Sequence, residues 1–307
     1  MQCFEELFNE KQNTSVALGF FDGLHKGHRS VIELAADRRH NGLLPVCLTF
    51  AQSPKSIVRG CELPVLMTRE DKVRTLEQLG IAHTVFADFK KLMHLSARDF
   101  VRDILVGELN AKALYCGFNY RFGRNAEGNT DTLRQLCLEY GVSLSVLPPA
   151  EDDGEVVSST LIKSLIAKGD LLRANRLLCG TFGFAAPIEH GRRLGHTLGT
   201  PTLNQTPPRE LTSPLYGVYC SEVTLADGSR FCGVTNVGIK PTVGGTTLLW
   251  ETWMPRYTGG EIYGEQADVR LLDFIRPEQK FQSLDGLQAE ILKNGRQASD
   301  IYAKLKK

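Results

Sequence analysis

The sequence lacks several features that would place it elsewhere. None of its eight cysteines stands in a Cys-x-x-Cys pair, so neither a zinc ribbon nor a thioredoxin-type redox motif is available. No apolar run approaches the roughly 18 residues of a membrane-spanning helix. The first residues, Met1-Gln2-Cys3-Phe4-Glu5-Glu6, are acidic where a secretory signal is basic. An excess of one charge sign is missing too. Lys and Arg total 36 against 35 Asp and Glu, a formal charge of +1, which offers no basic face to nucleic acid or to an anionic membrane. No repeat or low-complexity tract interrupts the chain. These absences predict a cytoplasmic protein with free and mostly buried thiols; they leave its oligomeric state open. What is present is ordinary globular material: 307 residues, 42% hydrophobic and 23% charged, enough for two domains at about 150 residues each.

Two textures follow one another. From Thr14 to about Cys179 short apolar runs alternate with helix-period segments. Strands are predicted at Ser15–Phe21, Leu43–Phe50, Thr84–Phe86, Ala113–Cys116 and Ser143–Leu147. Helices are predicted over Gly27–His40, from Thr68 to Leu79, from Ser96 toward Leu109, and over Asn129–Tyr140, Ser158–Ala167 and Leu171–Leu178. Glu70 and Asp71 in a first turn suit the positive end of a helix dipole. Such alternation argues for an α/β domain with a parallel sheet covered on both faces. After Gly180, glycine and proline become frequent and short strands recur at Gly217–Leu225, Phe231–Val237, Leu248–Trp253 and Ala267–Phe274. Ala226-Asp227-Gly228-Ser229 is a hairpin signal between the first two. A helix from about Ser283 to Asn294 ends the pattern, which reads as an antiparallel β-barrel with a terminal helix. The expected division is 1–180 and 181–307.

The sharpest motif is Gly19-Phe20-Phe21-Asp22-Gly23-Leu24-His25-Lys26-Gly27-His28, where the first apolar strand gives way to a helix. A helix start carries unpaired N–H groups and a positive partial charge, which together attract anions. Gly23 and Gly27 allow phosphate to approach the backbone. Two imidazoles three residues apart can donate hydrogen bonds while neutral, or become charged near pH 6.5, and so suit the charge that builds on a pentavalent phosphorus. Either histidine alone would read as a surface residue of a turn.

This decapeptide resembles the nucleotidylyltransferase superfamily. Its FDGxHxGH form is similar to the N-terminal module of the bacterial bifunctional riboflavin kinase/FMN adenylyltransferase (FAD synthetase) family. Gly117-Phe118-Asn119-Tyr120-Arg121-Phe122-Gly123-Arg124 is similar to that family's GxxFRFG loop, and Val157-Ser158-Ser159-Thr160-Leu161-Ile162-Lys163 to its ISSTxIR motif. Read alone, Ser158-Ser159-Thr160 is a helix N-cap. The resemblance implies a Rossmann-like fold in which Gly19, Asp22, Gly27, Ser158, Ser159, Thr160 and Lys163 serve ATP. It implies that Asn119 and Arg121 serve the flavin side and that His25 and His28 act in catalysis. Two positions depart from the pattern. Lys163 replaces an arginine and so loses the planar fork that grips two phosphate oxygens. Phe50-Ala51-Gln52-Ser53-Pro54 lacks the acidic and histidine positions of F-D/E-P-H-P.

The second half carries its own set. Gly191-Arg192-Arg193-Leu194-Gly195-His196-Thr197-Leu198-Gly199-Thr200-Pro201-Thr202-Leu203-Asn204 is similar to the riboflavin kinase stretch ending in GFPTAN. Thr202 and Asn204, two apart on an extended segment, point their oxygens the same way and suit Mg²⁺; a lone PTxN would read as a turn. Gly233-Val234-Thr235-Asn236-Val237-Gly238-Ile239-Lys240-Pro241-Thr242 looks like GVxNxGxxPT. Glu251, inside an apolar run, matches the family's catalytic glutamate; without the surrounding motifs it would read as an outward-facing strand residue. Arg276-Pro277-Glu278-Gln279-Lys280-Phe281 is similar to RxExxF. The resemblance implies phosphate contacts at Gly191, Gly199 and Thr202, flavin contacts at Arg276 and Glu278, and Mg²⁺ at Thr202 and Asn204. Trp253, Thr200 and His196 stand where the family has His, Phe and often Arg.

Together the motifs cover nearly the whole chain. They imply phosphorylation of riboflavin to FMN with ATP and Mg²⁺, then adenylylation of FMN to FAD with release of pyrophosphate. Two rival readings remain: a riboflavin kinase beside a weakened or lost adenylyltransferase site, and a non-catalytic flavin-binding regulator.

Overall fold

The computed structural model describes residues 1–5, 10–37, 41–190, 199–242 and 245–306. The chain forms two compact units, residues 1–65 with 69–159, and residues 66–68 with 160–307.

The first unit is built on six parallel strands: β1 (Gln2–Phe4), β2 (Thr14–Leu18), β3 (Leu44–Phe50), β4 (His83–Ala87), β5 (Ala111–Gly117) and β6 (Ser143–Leu147), in the order β1-β4-β3-β2-β5-β6. Every residue of β2 is buried, as befits a central strand covered on both faces. Between strands run α1 (Lys26–Asp37), α2 (Pro54–Arg59), α3 (Arg69–Gln78), α4 (Phe89–Leu92), α5 (Ala97–Asp99) and α6 (Thr130–Tyr140). Val16, Leu18, Val46, Leu48, Val85 and Leu114 form one core with Val101, Leu105 and Leu133. Each such side chain contributes about 1.5–3 kcal/mol by leaving water. Ser15 reaches α1 instead, donating to the Ala35 carbonyl at 2.7 Å. Asn129 caps α6 by accepting from the Asp131 and Thr132 amides. The helix expected from Ser96 changes form: after α5 the backbone widens into a π-helix over Phe100–Glu108. Beyond β6 come a two-stranded hairpin, β7 (Glu151–Asp152) with β8 (Glu155–Val156), and the start of α7 (Ser159–Lys168).

In this sheet the chain steps from β2 to β3 to β4, then returns to the other side of β2 for β5 and β6. The direction therefore reverses between β2 and β5. A parallel sheet opens a crevice at that place, beyond the C-terminal ends of the two strands.

The second unit holds the rest of α7, α8 (Leu171–Leu178) and six antiparallel strands. These are β9 (Gly183–Pro187), β10 (Thr202–Gln205), β11 (Gly217–Leu225), β12 (Arg230–Thr242), β13 (Gly245–Trp253) and β14 (Gln266–Pro277), ordered β10-β13-β12-β11-β14-β9. The edges meet where the Glu189 amide donates to the Asn204 carbonyl at 2.8 Å. One sheet face is closed to water around Trp250, Tyr219, Val237, Phe182 and Phe184. It includes a ladder of buried hydroxyls, Ser221 to Thr235 at 2.7 Å and Thr235 to Thr252 at 2.8 Å. The other face packs α9 (Leu284–Leu305) through Val218, Cys220, Val234 and Ala298. This helix runs past the expected end at Asn294 because Ala298, Ile301 and Tyr302 still face that core.

All eight cysteines are free, but only Cys47, Cys116, Cys137 and Cys220 are buried. The expectation of mostly buried thiols is corrected: Cys3 lies on a short edge strand and Cys179 caps the exposed end of α8. Among the described residues no helix is long and apolar enough to cross a membrane.

Candidate active sites

The FDGxHxGH segment leaves the C-terminal end of β2 through a turn of left-handed residues. Phe21 (φ 53°), Gly23 (φ 82°) and Leu24 (φ 44°) all have positive φ, and for Phe21 and Leu24 that conformation carries strain. His25 is extended, and its carbonyl accepts the first helical bond of α1 from Arg29 at 2.9 Å. The amides of the first turn of α1 thus have no partner within the helix. His25 and His28 stack, centroids 3.7 Å apart and planes 20° apart. The Nδ1 atoms of both are buried without a hydrogen-bond partner. Buried polar atoms are seldom left so unless a ligand completes them.

Burial holds the His25 imidazole down to about 4, only partly offset by Asp22. His28 is held well below its usual value by burial, then by His25 and Lys72. Both rings are therefore neutral at pH 7 and offer hydrogen bonds rather than charge. A Cβ on Gly27 would lie 3.6 Å from His25 Nδ1, so glycine keeps that nitrogen open. Gly19 has a different reason: a Cβ there would come within 2.9 Å of the Phe21 ring.

Several predicted residues converge here. Asp22 is buried in the turn, and its carbonyl accepts from Ser159 Oγ at 3.0 Å, which ties the serine motif to the histidine loop. Asn119 and Arg121 follow the C-terminal end of β5, across the crevice from β2. Ser158 precedes α7; Thr160 and Lys163 lie on that helix and are counted with the second unit. Sequence reasoning missed Lys72. It is 5% exposed and donates to the Phe20 carbonyl at 2.7 Å. Its one sequence signal is its place four residues before the buried Leu76, on the inward side of α3.

In the second unit, strand register assembles the other site. Asn204 on β10 faces Glu251 on β13, which faces Asn236 on β12. Glu251 Oε2 pairs with Lys240 Nζ at 3.0 Å and accepts from Asn236 Nδ2 at 3.5 Å. Asn204 is 4% exposed and its Oδ1 has no partner; Thr202, two residues earlier, lies on the same face. Asn236 and Lys240 were not singled out from sequence, although their even spacing on β12 puts both on the Glu251 face. Among the described residues no cluster of three His, Cys, Asp or Glu could hold a metal.

Trp253, standing in place of a histidine, packs its ring against Gly295 of α9, where a Cβ would come within 2.6 Å. Arg276 is held by α9: its Nε donates to Asn294 Oδ1 at 3.1 Å and lies 3.3 Å from Glu290. Glu278 Oε1 occupies the space of a Cβ on Gly238, at 2.0 Å, so that β12 glycine makes room for it. Gly199 has φ 68°. Gly191 lies outside the described residues.

Two family models match the chain: one described as FAD synthetase over residues 7–161, the other as riboflavin kinase over residues 179–302. The bifunctional riboflavin kinase/FMN adenylyltransferase of Escherichia coli (strain K12) is 32% identical over 290 residues, covering 94% of this chain and 92% of that protein. The chain belongs to the bifunctional riboflavin kinase/FMN adenylyltransferase family. With that membership come both transferase activities, one for each matched half. The corresponding Haemophilus influenzae protein is 31% identical and covers 98% of this chain and 99% of its own. A crystal structure from Streptococcus pneumoniae described as a macrolide-efflux protein superposes with a TM-score of 0.86 at 26% identity. That match covers 96% of this chain and 98% of the other.

Proposed function

We propose that the chain phosphorylates riboflavin at the Glu251 site and adenylylates FMN at the His25–His28 site, working on small molecules in a reducing cytoplasm. The assignment rests on one observation. Each matched half has a cluster whose buried polar atoms lack partners: Nδ1 of His25 and of His28 in one, Oδ1 of Asn204 in the other. The functional division we propose is 1–180 for the adenylyltransferase and 181–307 for the kinase.

At the kinase site Glu251 takes the proton of the ribityl 5′-hydroxyl as the γ-phosphate of ATP transfers to that oxygen. Lys240 and Asn236 fix the carboxylate for this task. Thr202 and Asn204 would hold Mg²⁺: the unpartnered Asn204 Oδ1 is a hard oxygen donor, and few protein ligands suit an ion that keeps waters and phosphates. When bound there, the ion would supply charge neutralisation on the transferring phosphates. Arg276 and Glu278 flank the flavin, and Gly199 and the segment from Gly191 wrap phosphate.

At the other site an FMN phosphate oxygen attacks the α-phosphorus of ATP and pyrophosphate departs. The neutral His25 and His28 donate hydrogen bonds to the non-bridging oxygens as their charge grows, and the first-turn amides of α1 add to the field. Gly19, Asp22, Gly27, Ser158, Ser159, Thr160 and Lys163 shape the nucleotide side, and Asn119 and Arg121 the flavin side.

Chromatography of products from purified protein, Mg²⁺, ATP and either riboflavin or FMN tests the proposal. FAD from both flavins is expected. FMN as the sole product from riboflavin, with supplied FMN unchanged, would leave a kinase alone. No conversion of either flavin would leave a flavin-binding regulator.

A further inference from the structure

The Phe20 carbonyl, at the exit of β2, is gripped from two elements. Lys72 Nζ of α3 donates to it at 2.7 Å and Thr49 Oγ1 of β3 at 3.0 Å. The same ammonium lies 4.2 Å from the centroid of the Phe20 ring, a cation–π contact out of water. The next residue is Phe21, whose left-handed backbone begins the strained turn. Its buried ring stands edge-on to His28 at 5.4 Å. The connection therefore runs from Lys72 and Thr49, through one carbonyl and one ring, to His28.

We propose that Lys72, together with Thr49, is a positioning residue of FMN adenylylation: clamping the Phe20 carbonyl fixes the turn that holds Phe21 against the histidine pair. The proposal rests on the reading of His25 and His28 as the adenylylation site. A buried ammonium is expensive unless its surroundings need it, and a strained turn persists only where its neighbours over-determine it. The charge has a second effect. Lys72 is among the causes that hold His28 neutral. The groups around the ammonium are Asp22 from the turn, Cys47 from β3, Arg69 from its own helix and His28 from α1; burial lowers Lys72 itself to about 8, so it remains charged at pH 7.

The test compares Lys72→Met, Thr49→Val and His28→Ala in the full-length protein. It measures kcat and KM for FMN adenylylation, riboflavin phosphorylation as an internal control, and the His28 ring titration by NMR. Lys72→Met is expected to lower kcat for FAD formation about 100-fold, the loss typical of a small misplacement of reacting groups. KM for ATP should change by no more than about threefold, and riboflavin phosphorylation should hold. The His28 titration should move up in Lys72→Met but stay in place in Thr49→Val, which loses one neutral hydrogen bond and about tenfold in kcat. Wild-type FAD formation in Lys72→Met while His28→Ala is inactive would overturn the proposal. So would a joint loss of both activities with the His28 titration unmoved, which marks a merely structural lysine. If Lys72→Met does not fold, wild-type kcat in Thr49→Val overturns the clamp. Full FAD formation in His28→Ala would instead refute the site reading.

Discussion

Acidification should destabilise the first unit through its own histidine stack. His25 is held at about 4 in the folded chain against 6.5 as its ordinary value. Between those values the unfolded chain binds a proton that the folded chain does not, so unfolding free energy rises with pH through this window. The sign follows directly. The contribution is complete above about pH 6.5 and is lost as pH falls toward 4. By pH 5 the loss from His25 alone is about 2 kcal/mol, and His28, displaced in the same direction, adds to it. The assay is urea unfolding at pH 7.5, 6.5, 5.5 and 5.0, followed by a probe confined to the first unit. A His25→Gln/His28→Gln variant serves as the comparison. The wild type should lose at least 2 kcal/mol more than the variant between pH 7.5 and 5.0. Parallel pH dependence of the two proteins, or a His25 ring that titrates near 6.5, would refute the argument that burial governs this pair.

Glu251→Gln should lower FMN formation from riboflavin by about 10²–10⁴-fold, the usual worth of a positioned base. It should leave FAD formation from supplied FMN intact; product chromatography reads both. Gly238→Ala places a Cβ 2.0 Å from Glu278 Oε1. That carboxylate ends a flexible side chain and can swing away, so the melting temperature should hardly change while KM for riboflavin rises. Gly217→Ala meets backbone instead, with the Arg276 carbonyl oxygen 2.3 Å from the new Cβ. Differential scanning calorimetry should show the barrel transition lowered by roughly 2 kcal/mol or more.

Much of the first unit was legible because strands buried on both faces read as apolar runs and helices as periodic ones. The buried strand Leu44–Phe50 and the helix Thr130–Tyr140 fall within one residue of where that rule puts them. β1 was missed because three residues cannot display an alternation, and its place at the sheet edge comes from pairing with β4. The extra length of β12 beyond Phe231–Val237 runs through Gly238 and Lys240 to Pro241. These are residues that single-sequence propensity counts against a strand and that register with β13 overrides. The histidine pair was legible as a spacing, but its neutrality was not, because burial and stacking are tertiary facts. Lys72 and Lys240 were illegible for a shared reason. A lysine on a helix or strand normally reads as solvated, and only the fold shows that one is buried under Phe20 and the other bound to Glu251.

The row Asn204–Glu251–Asn236 is held in place by pairing between β10, β13 and β12, and β13 carries Trp250 immediately before Glu251. Side chains along a strand alternate in parity. Moving β13 by one residue would therefore exchange the largest fully buried side chain of the barrel for the Glu251 carboxylate that Lys240 and Asn236 hold. Folding and chemistry thus share one arithmetic constraint here. A single-residue insertion between Gly245 and Trp250 cannot trade one for the other; it has to be absorbed as a bulge or it forfeits both. An insertion of two residues preserves the parity and is the smallest change in length that this strand can accept without a bulge.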